Sequence, residues 1–330
     1  MPTATVTYGD INPETAGYVA KKFLERAVPQ LVSEQFAQTR EHPGNSTLVQ
    51  VFRRYDALNF TPKIVLEGIT PDGSTFGKTD IQCRLQQLGD WLPTTDIIKD
   101  THTDDVLQEM TNILAEQAPA MLEMFRFGVL KAGTNVMYAG GVLSRATVVA
   151  KITRADVRRI VRLLDRQFAR PITQRVRPAA EYGTEAVAPS YVCQCHTDCE
   201  GDVRDLDGFV TVDKYAKGSI YDTEIGKCER VRFVSAPLNM PFTDAGGDKG
   251  SMISTTGVKA DVYPYLFCAA NAYATVPFKG QKAVTPMVVN PKPSPGDPMG
   301  QRGSVAWKTL TGSKILYDPW MVRFEAAVTQ

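Results

Sequence analysis

Histidine, net charge and long apolar runs are all scarce in this chain, and each shortage closes a class of function. Only three histidines stand among 330 residues, His42, His102 and His196. A Ser-His-Asp or Cys-His nucleophilic site would have to recruit one of them. His42 sits in a Pro-Gly break and His102 just ahead of a capped helix, so exposed loop and helix-flanking roles are expected. The 37 basic and 36 acidic residues leave a formal net charge of +1. That excludes the basic field of a tight nucleic-acid or membrane-surface binder. No stretch approaches the ~20 consecutive apolar residues of a spanning helix, so no membrane association is expected. Residues 1–17 lack the basic-then-apolar order of a signal peptide, and none is expected. Internal repeats and low-complexity tracts are missing as well. The six cysteines, Cys83, Cys193, Cys195, Cys199, Cys228 and Cys268, are too few and too unevenly placed for a disulfide framework. Reduced thiols in a cytosol are expected.

What is present is enough apolar content, 43%, for one large domain or two smaller ones. Asn12-Pro13-Glu14 reads as a helix start that would bury Val19, Phe23, Leu24 and Ala27 before Pro29 interrupts it. Pro43 and Gly44 mark a break. Residues 47–55 are β-prone, with residues 77–92 as the expected partner, Ile81, Cys83 and Leu85 on one face and Gln82 and Arg84 on the other. The long connection between them carries Pro62, Gly68, Pro71, Gly73 and Gly77. A two-stranded extension of this kind is not stable alone and needs a surface to lie on.

Residues 104–131 carry the strongest helical pattern, with Leu107, Met110, Leu114, Ala118, Met121 and Phe125 on one stripe and Gln108, Asn112 and Glu116 opposite. Such a helix spans roughly 40 Å, and Pro119 is expected to kink it. A second helix is predicted over 154–168. Thr153 and Asp156 stand at capping-box spacing. Val157, Ile160, Val161, Leu164 and Phe168 form its apolar stripe, and Arg154, Arg158, Arg159, Arg162 and Arg166 its basic face. After Pro171 the texture turns to β runs at 191–195, 230–236, 266–276, 283–289 and 304–327. Helix-rich followed by strand-rich sequence predicts an α+β chain.

Cys193, Cys195, His196 and Cys199 form the best candidate for chemistry, because four soft ligands suit zinc. On a strand, however, Cys193 and Cys195 share one face while His196 points to the other. No second pair follows at zinc-ribbon spacing, and the order is wrong for haem attachment. Buried structural thiols are expected. Residues 246–251 have a phosphate-loop flavour but lack G-x-x-x-x-G-K-[ST] spacing and a following apolar helix, so a mobile surface loop is expected. The arginines of the second helix read as a solvated face, as salt-bridge partners between subunits, or as phosphate contacts. Asp104-Asp105 suits helix-start electrostatics. No catalytic residue, cofactor site or metal ligand is assigned.

Several segments, taken in order, resemble one known family. They are Gln87-Leu88-Gly89-Asp90-Trp91 with Thr95-Asp96, and Gly133-Thr134-Asn135-Val136 with Tyr138-Ala139-Gly140-Gly141. Next come Glu224-Ile225-Gly226 with Val231-Arg232-Phe233, and Ala272-Tyr273-Ala274-Thr275-Val276. Last are Asp297-Pro298 and Gln301-Arg302-Gly303-Ser304-Val305 with Trp307-Lys308. Their order and spacing resemble the coliphage N4-type major capsid proteins of tailed bacteriophages, over about residues 10–328. One departure is Cys193-Gln194-Cys195-His196-Thr197, where the family has an apolar strand ending in His-Pro.

The resemblance implies an HK97-like fold. Residues 1–47 would be an N-terminal arm and 48–92 an extended β-hairpin loop reaching over a neighbouring subunit. Residues 93–185 would form a peripheral domain holding the spine helix 104–131 and the second helix 154–168. Residues 186–303 would form an axial domain, and 304–330 a C-terminal strand returning to the peripheral domain. The implied function is structural: self-assembly through hexamers and pentamers into the icosahedral head of a phage virion, in the cytoplasm of the host bacterium. Portal, scaffolding and decoration proteins would be partners, with at most weak, non-specific contact with packaged DNA. Two rival readings are an encapsulin-like compartment shell that binds cargo enzymes, and a soluble metalloenzyme built on the Cys193–Cys199 cluster.

Overall fold

Two sheets and the long helix that links them organise the chain. The computed structural model describes residues 32–43, 46–64, 67–68, 73–96, 106–172, 176–178, 184–186, 189–214, 221, 223–278, 285–293 and 296–330. The helix start expected at Asn12, with its core positions Val19, Phe23, Leu24 and Ala27, lies outside the described residues. So do Gly44, His102, Thr103, Asp104 and Asp105.

The first sheet has five strands: β1 (Gln38–Thr39), β4 (Gln86–Thr95), β13 (Tyr273–Pro277), β14 (Thr285–Val289) and β15 (Arg302–Ile315). β15 is its centre. One edge pairs with β4 from Arg302 to Thr311, while the other is shared by β14 and then β13. The resemblance segments meet here. Asp90 lies across from Trp307, and Gln117 bonds both the Trp307 indole at 3.3 Å and the Asp90 carboxylate. Gly89 has no alternative, since a Cβ there would sit 2.6 Å from the Trp307 carbonyl oxygen.

The second sheet has seven strands in the order β5 (Val136–Tyr138), β16 (Met321–Ala327), β12 (Val262–Cys268), β8 (Tyr191–Cys195), β11 (Val231–Ser235), β10 (Glu224–Cys228) and β9 (Val210–Thr211). Every residue of β8 and β12 is buried. This is the pattern of strands covered on both faces, and it explains their near-continuous apolar sequence. Two strand pairs stand apart: β2 (Val49–Tyr55) with β3 (Lys78–Arg84), and β6 (Val176–Pro178) with β7 (Thr184–Ala186).

Helix α1 (Val106–Lys131) serves both sheets. Its first half puts Leu114, Ala115, Ala118 and Leu122 onto Val288, Val305 and Trp307 of the five-stranded sheet. Its second half puts Phe127 and Leu130 under Val192, Val234 and Leu266 of the seven-stranded sheet. The expected single stripe therefore holds only as far as Met121. Phe125 is half-buried and belongs to neither core cluster, because the helix changes the sheet it faces between Leu122 and Phe127. Of the residues opposite, Glu116 is exposed and Gln108 and Asn112 are half-buried.

Helix α2 (Arg154–Arg166) covers the other face of the seven-stranded sheet with Val157, Ile160 and Leu164. Thr153 and Asp156 form the predicted capping box. The helix is shorter than expected and ends before Phe168. Phe168 takes a left-handed φ of 53° while Ala169 N–H bonds the Leu164 carbonyl at 3.0 Å, closing a Schellman turn with Phe where glycine is usual. Phe168 is thereby turned outward, 74% exposed, and leaves the apolar stripe.

Three long β runs prove to be pairs of strands in different sheets. The expected hairpin partner 77–92 breaks at Leu85, so β3 stays with β2 while β4 joins β15. The run 266–276 divides into β12 and β13, and the run 304–327 into β15 and β16 around a 3-10 turn at Asp318–Trp320. The strand expected over 191–195 is β8, the run expected over 230–236 holds β11 at Val231–Ser235, and β14 covers the described part of 283–289.

Candidate functional site

Among the described residues, the β2–β3 hairpin and the connection beyond it leave large apolar side chains exposed. Its root is anchored by Phe52, Cys83 and Leu85, which pack with Ala274 and Val276. The predicted face of Ile81, Cys83 and Leu85 is the inner one, while Gln82 and Arg84 are exposed. Away from the root, Arg53 pairs with Asp80 at 2.8 Å. The hydrogen bond from Arg53 holds the Asp80 carboxyl below its usual range. Beyond β2, Leu58, Phe60, Ile64 and Phe76 face solvent, Phe60 at 77% and Ile64 at 88% exposure. Tyr55 and Phe76 stack edge to face at 5.7 Å, and Phe60 touches the outward-turned Phe168 at 5.9 Å. Side chains of this size in water contribute little to the fold and form an adhesive surface.

The thiol cluster has the opposite character. Cys193 and Cys195 lie on the α2 side of β8 with Cys199 beside them, all fully buried in the main core. Burial pushes the Cys193 and Cys195 thiols well up and the Cys199 thiol to about 12. They stay protonated and unreactive at neutral pH. His196 turns away from them: its Nδ1 accepts from the Asp198 amide at 3.1 Å, and its ring lies 5.6 Å from that of Tyr263. Among the described residues no group of three or more His, Cys, Asp or Glu side chains is arranged to hold a metal ion.

Two other candidates read differently in three dimensions. His42 is buried, 2% exposed, rather than in an exposed loop. Its Nδ1 pairs with Gln50 Oε1 at 2.9 Å and its Nε2 with the Thr47 carbonyl, so it braces the start of β2. The glycine loop at 246–251 is pinned rather than mobile. Gly246, Gly247 and Lys249 donate their amides to the carbonyls of Ala260, Val148 and Val258 at 3.0–3.1 Å. Those amides are spent within the chain and form no phosphate cradle.

Sequence reasoning missed a buried polar node where α1 passes between the sheets. Glu123 accepts from the Ser33 amide at 3.0 Å and the Ser33 hydroxyl at 2.6 Å. Gln194 donates to the Tyr273 hydroxyl at 3.1 Å, and Tyr273 donates to the Ser33 carbonyl. Arg126, also buried, pairs with Glu34 at 3.1 Å. Burial pushes the Glu123 carboxyl up, against the Ser33 hydrogen bonds. The available signal was an acid and an arginine inside the apolar run 121–130, and a glutamine inside the apolar strand 191–195.

No protein-family model matches the chain, and no curated protein matches it in sequence. Solved structures do match in shape. The capsid of Ralstonia phage GP4 superposes with a TM-score of 0.69 at 12% identity, over 89% of this chain and 88% of that one. The fold is that of phage capsid proteins. The head of Helicobacter pylori bacteriophage KHP40 aligns at TM-score 0.60 and 12% identity, over 88% and 87% of the two chains. The capsid of Cyanophage Pam1 aligns at TM-score 0.58 and 14% identity, over 99% and 100%. The α+β, HK97-like architecture implied by the sequence resemblance is thus observed in the capsid fold of this chain.

Proposed function

We propose that the chain is a major capsid protein, a structural subunit that assembles with copies of itself into the head shell of a tailed phage and catalyses no reaction. The observation that carries this reading is the match of nearly the whole chain to phage capsid subunits, over about nine-tenths of each chain in the first case. The bare apolar hairpin supports it, because an extension that buries so little at home gains its stability from a neighbour.

The finer assignments belong to the same proposal. Residues 93–185, which carry α1 and α2, would be the peripheral domain, residues 186–303, which carry α3 (Glu200–Arg204), the axial domain, and residues 304–330 the C-terminal strand returning to the peripheral domain. Residues 1–47 would be the arm and the β2–β3 hairpin the loop that overlies the next subunit. The N4-type resemblance, hexamers and pentamers, assembly in the host cytoplasm, and portal, scaffolding or decoration partners complete the reading. The test is direct. The purified chain, alone or co-expressed with the other head proteins of its phage, is examined by light scattering and electron microscopy. Closed megadalton shells are expected, and a chain that remains a monomer or small oligomer under both conditions overturns the proposal.

A further inference from the structure

Two helices on one face of the seven-stranded sheet carry opposite charge. Residues 154–170, which contain α2, hold six arginines and two aspartates, and Asp156 is buried in the capping box. Residues 198–213, which contain α3, hold six acids and one arginine. Both segments send residues into the same core, Val157, Ile160 and Leu164 from one and Cys199, Val203 and Leu206 from the other. Their charged sides flank that core as separate strips, Arg158, Arg162 and Arg166 on one and Asp205 and Asp207 on the other.

Within the subunit the arginine strip is neutralised at its start, by Asp207 of the acidic strip and by Glu229 beyond it. Arg154 reaches Asp207 at 3.1 Å and Glu229 at 2.7 Å, and Arg158 shares Glu229 at 2.9 Å. Lys151 lies 3.6 Å from Asp205. Asp207 nevertheless remains 89% exposed, and Asp205 is exposed as well. Further along α2 the pairing stops. Among the described residues, Arg162 bonds the carbonyl of Arg158 in its own helix, at 3.3 Å. Among the described residues no carboxylate lies within ion-pair distance of Arg162 or Arg166. The four-residue spacing sets Arg158, Arg162 and Arg166 in one row on the helix, about 12 Å long. A groove of about 610 Å³ runs beside the row, lined by Arg154, Arg158, Val161, Arg162, Glu229 and Arg230.

A row of cations needs an anionic partner, and the chain itself holds one. The net charge of +1 means that the arginine excess of α2 is matched by acid elsewhere on the same molecule. Glu229 lines the groove and Asp165 and Asp207 border it, and these carboxylates would repel a phosphate backbone. In a ring of identical copies each contact is heterologous: one surface of a subunit meets a different surface of the next. We infer that the row Arg158, Arg162 and Arg166 of one copy seats against the acidic segment around α3 of the next, with Asp205 and Asp207 as the principal partners.

This inference rests on the shell reading, and charge reversal in the full chain separates the two. Arg162→Glu with Arg166→Glu makes one variant, and Asp205→Arg with Asp207→Arg the other. Each is expected to stay folded by circular dichroism and to lose its assembled particles. Mixed, the two variants present only attractive contacts when they alternate. The mixture should recover rings with an even number of subunits, since alternation cannot close an odd ring. A single chain carrying all four reversals should recover particles of the wild-type kind. If a reversed variant is unfolded, Arg162→Gln with Arg166→Gln takes its place and should still reduce particle yield. Wild-type yield from a folded Arg162, Arg166 variant overturns the inference and leaves the shell reading intact. So does a failure of both the mixture and the fourfold variant to recover particles. Normal particles combined with lost binding of a DNA oligonucleotide would assign the row to nucleic acid instead. Wild-type chains that never assemble remove the shell reading and this inference with it.

Discussion

The seven-stranded sheet and the β2–β3 hairpin use the same kinds of residue to opposite ends. In the sheet, Tyr265, Phe267 and Phe324 are fully buried and meet edge to face at 6.1–6.4 Å. In the hairpin and its connection, Tyr55, Phe60 and Phe76 stand largely in water. Burial of aromatic and aliphatic surface is the main stabilising contribution to folding. The first set therefore holds the subunit together, while the second set adds little to the isolated subunit and is available for association. The difference also explains where charge goes. The sheet tolerates ions only when paired, as in the buried Arg232–Glu224 contact at 2.7 Å, whereas the hairpin carries its Arg53–Asp80 pair in the open.

The largest effect that tests this contrast comes from the hairpin. Replacing residues 59–76 with a short Gly-Ser turn should abolish shells while leaving the thermal midpoint of the unassembled subunit within a few degrees of wild type. Normal shells from that variant would break the comparison. The sheet should respond the other way: Phe324→Ala should cost about 3–5 kcal/mol of subunit stability in chemical denaturation. Helix α1 sits between these extremes. Leu114→Ala removes a side chain packed among Val288, Val305 and Trp307 and should cost about 2–5 kcal/mol. Asn112→Ala should cost under about 1 kcal/mol to the fold. A neutral Leu114→Ala beside a severe Asn112→Ala would mean that the faces are reversed.

The thiols give the smaller effects. Cys195→Ser exchanges a thiol for a hydroxyl in an apolar core and should cost about 1–3 kcal/mol by denaturation. Stoichiometric zinc in the purified protein, lost in that variant, would replace the structural reading with a metal site. Cys199 and Cys268 are both held at about 12, above the ordinary 9.0, by burial. A thiol whose folded value is raised keeps its proton in the fold and loses it on unfolding. Its stabilising contribution is whole below about pH 9 and is lost as the pH climbs through about 12. Denaturation of wild type and of Cys199→Ala with Cys268→Ala should show the wild type losing more stability between about pH 8 and about pH 11. Parallel pH profiles would mean that the thiols are hydrated.

Much of this architecture was legible in local sequence. The capping box at Thr153 and Asp156, the stripe Leu107–Met110–Leu114–Ala118 and the strands 191–195 and 231–235 are all written in spacings of two, three or four residues, and such patterns depend only on near neighbours. The failures share a cause. The runs 77–92, 266–276 and 304–327 look continuous because β-propensity is indifferent to which sheet a residue joins. Phe168 looks like core because its apolar character is local, while its left-handed turn is closed by the carbonyls of Asp165 and Leu164 in the last turn of a finished helix. The expected exposure of His42 failed because the groups that bury it come from the start of β2 and from around Phe278.

Local patterns in the chain are enough to read an α+β protein with a long amphipathic helix, a capped basic helix, an apolar cysteine strand and a projecting two-stranded extension. Its ordered motifs also resemble those of phage capsid proteins. Only the tertiary contacts set where α1 changes sheets beyond Leu122, that three strand runs are shared between sheets, and that Glu123, Ser33, Gln194 and Tyr273 meet in one node. They also set the arginine row of α2 and the acids around α3 beside one core. The physical reason is separation along the chain. A period or a cap is set by residues within one or two turns of each other. Ser33 and Gln194 lie 161 residues apart, and only the closure of a common core brings such positions within hydrogen-bonding distance.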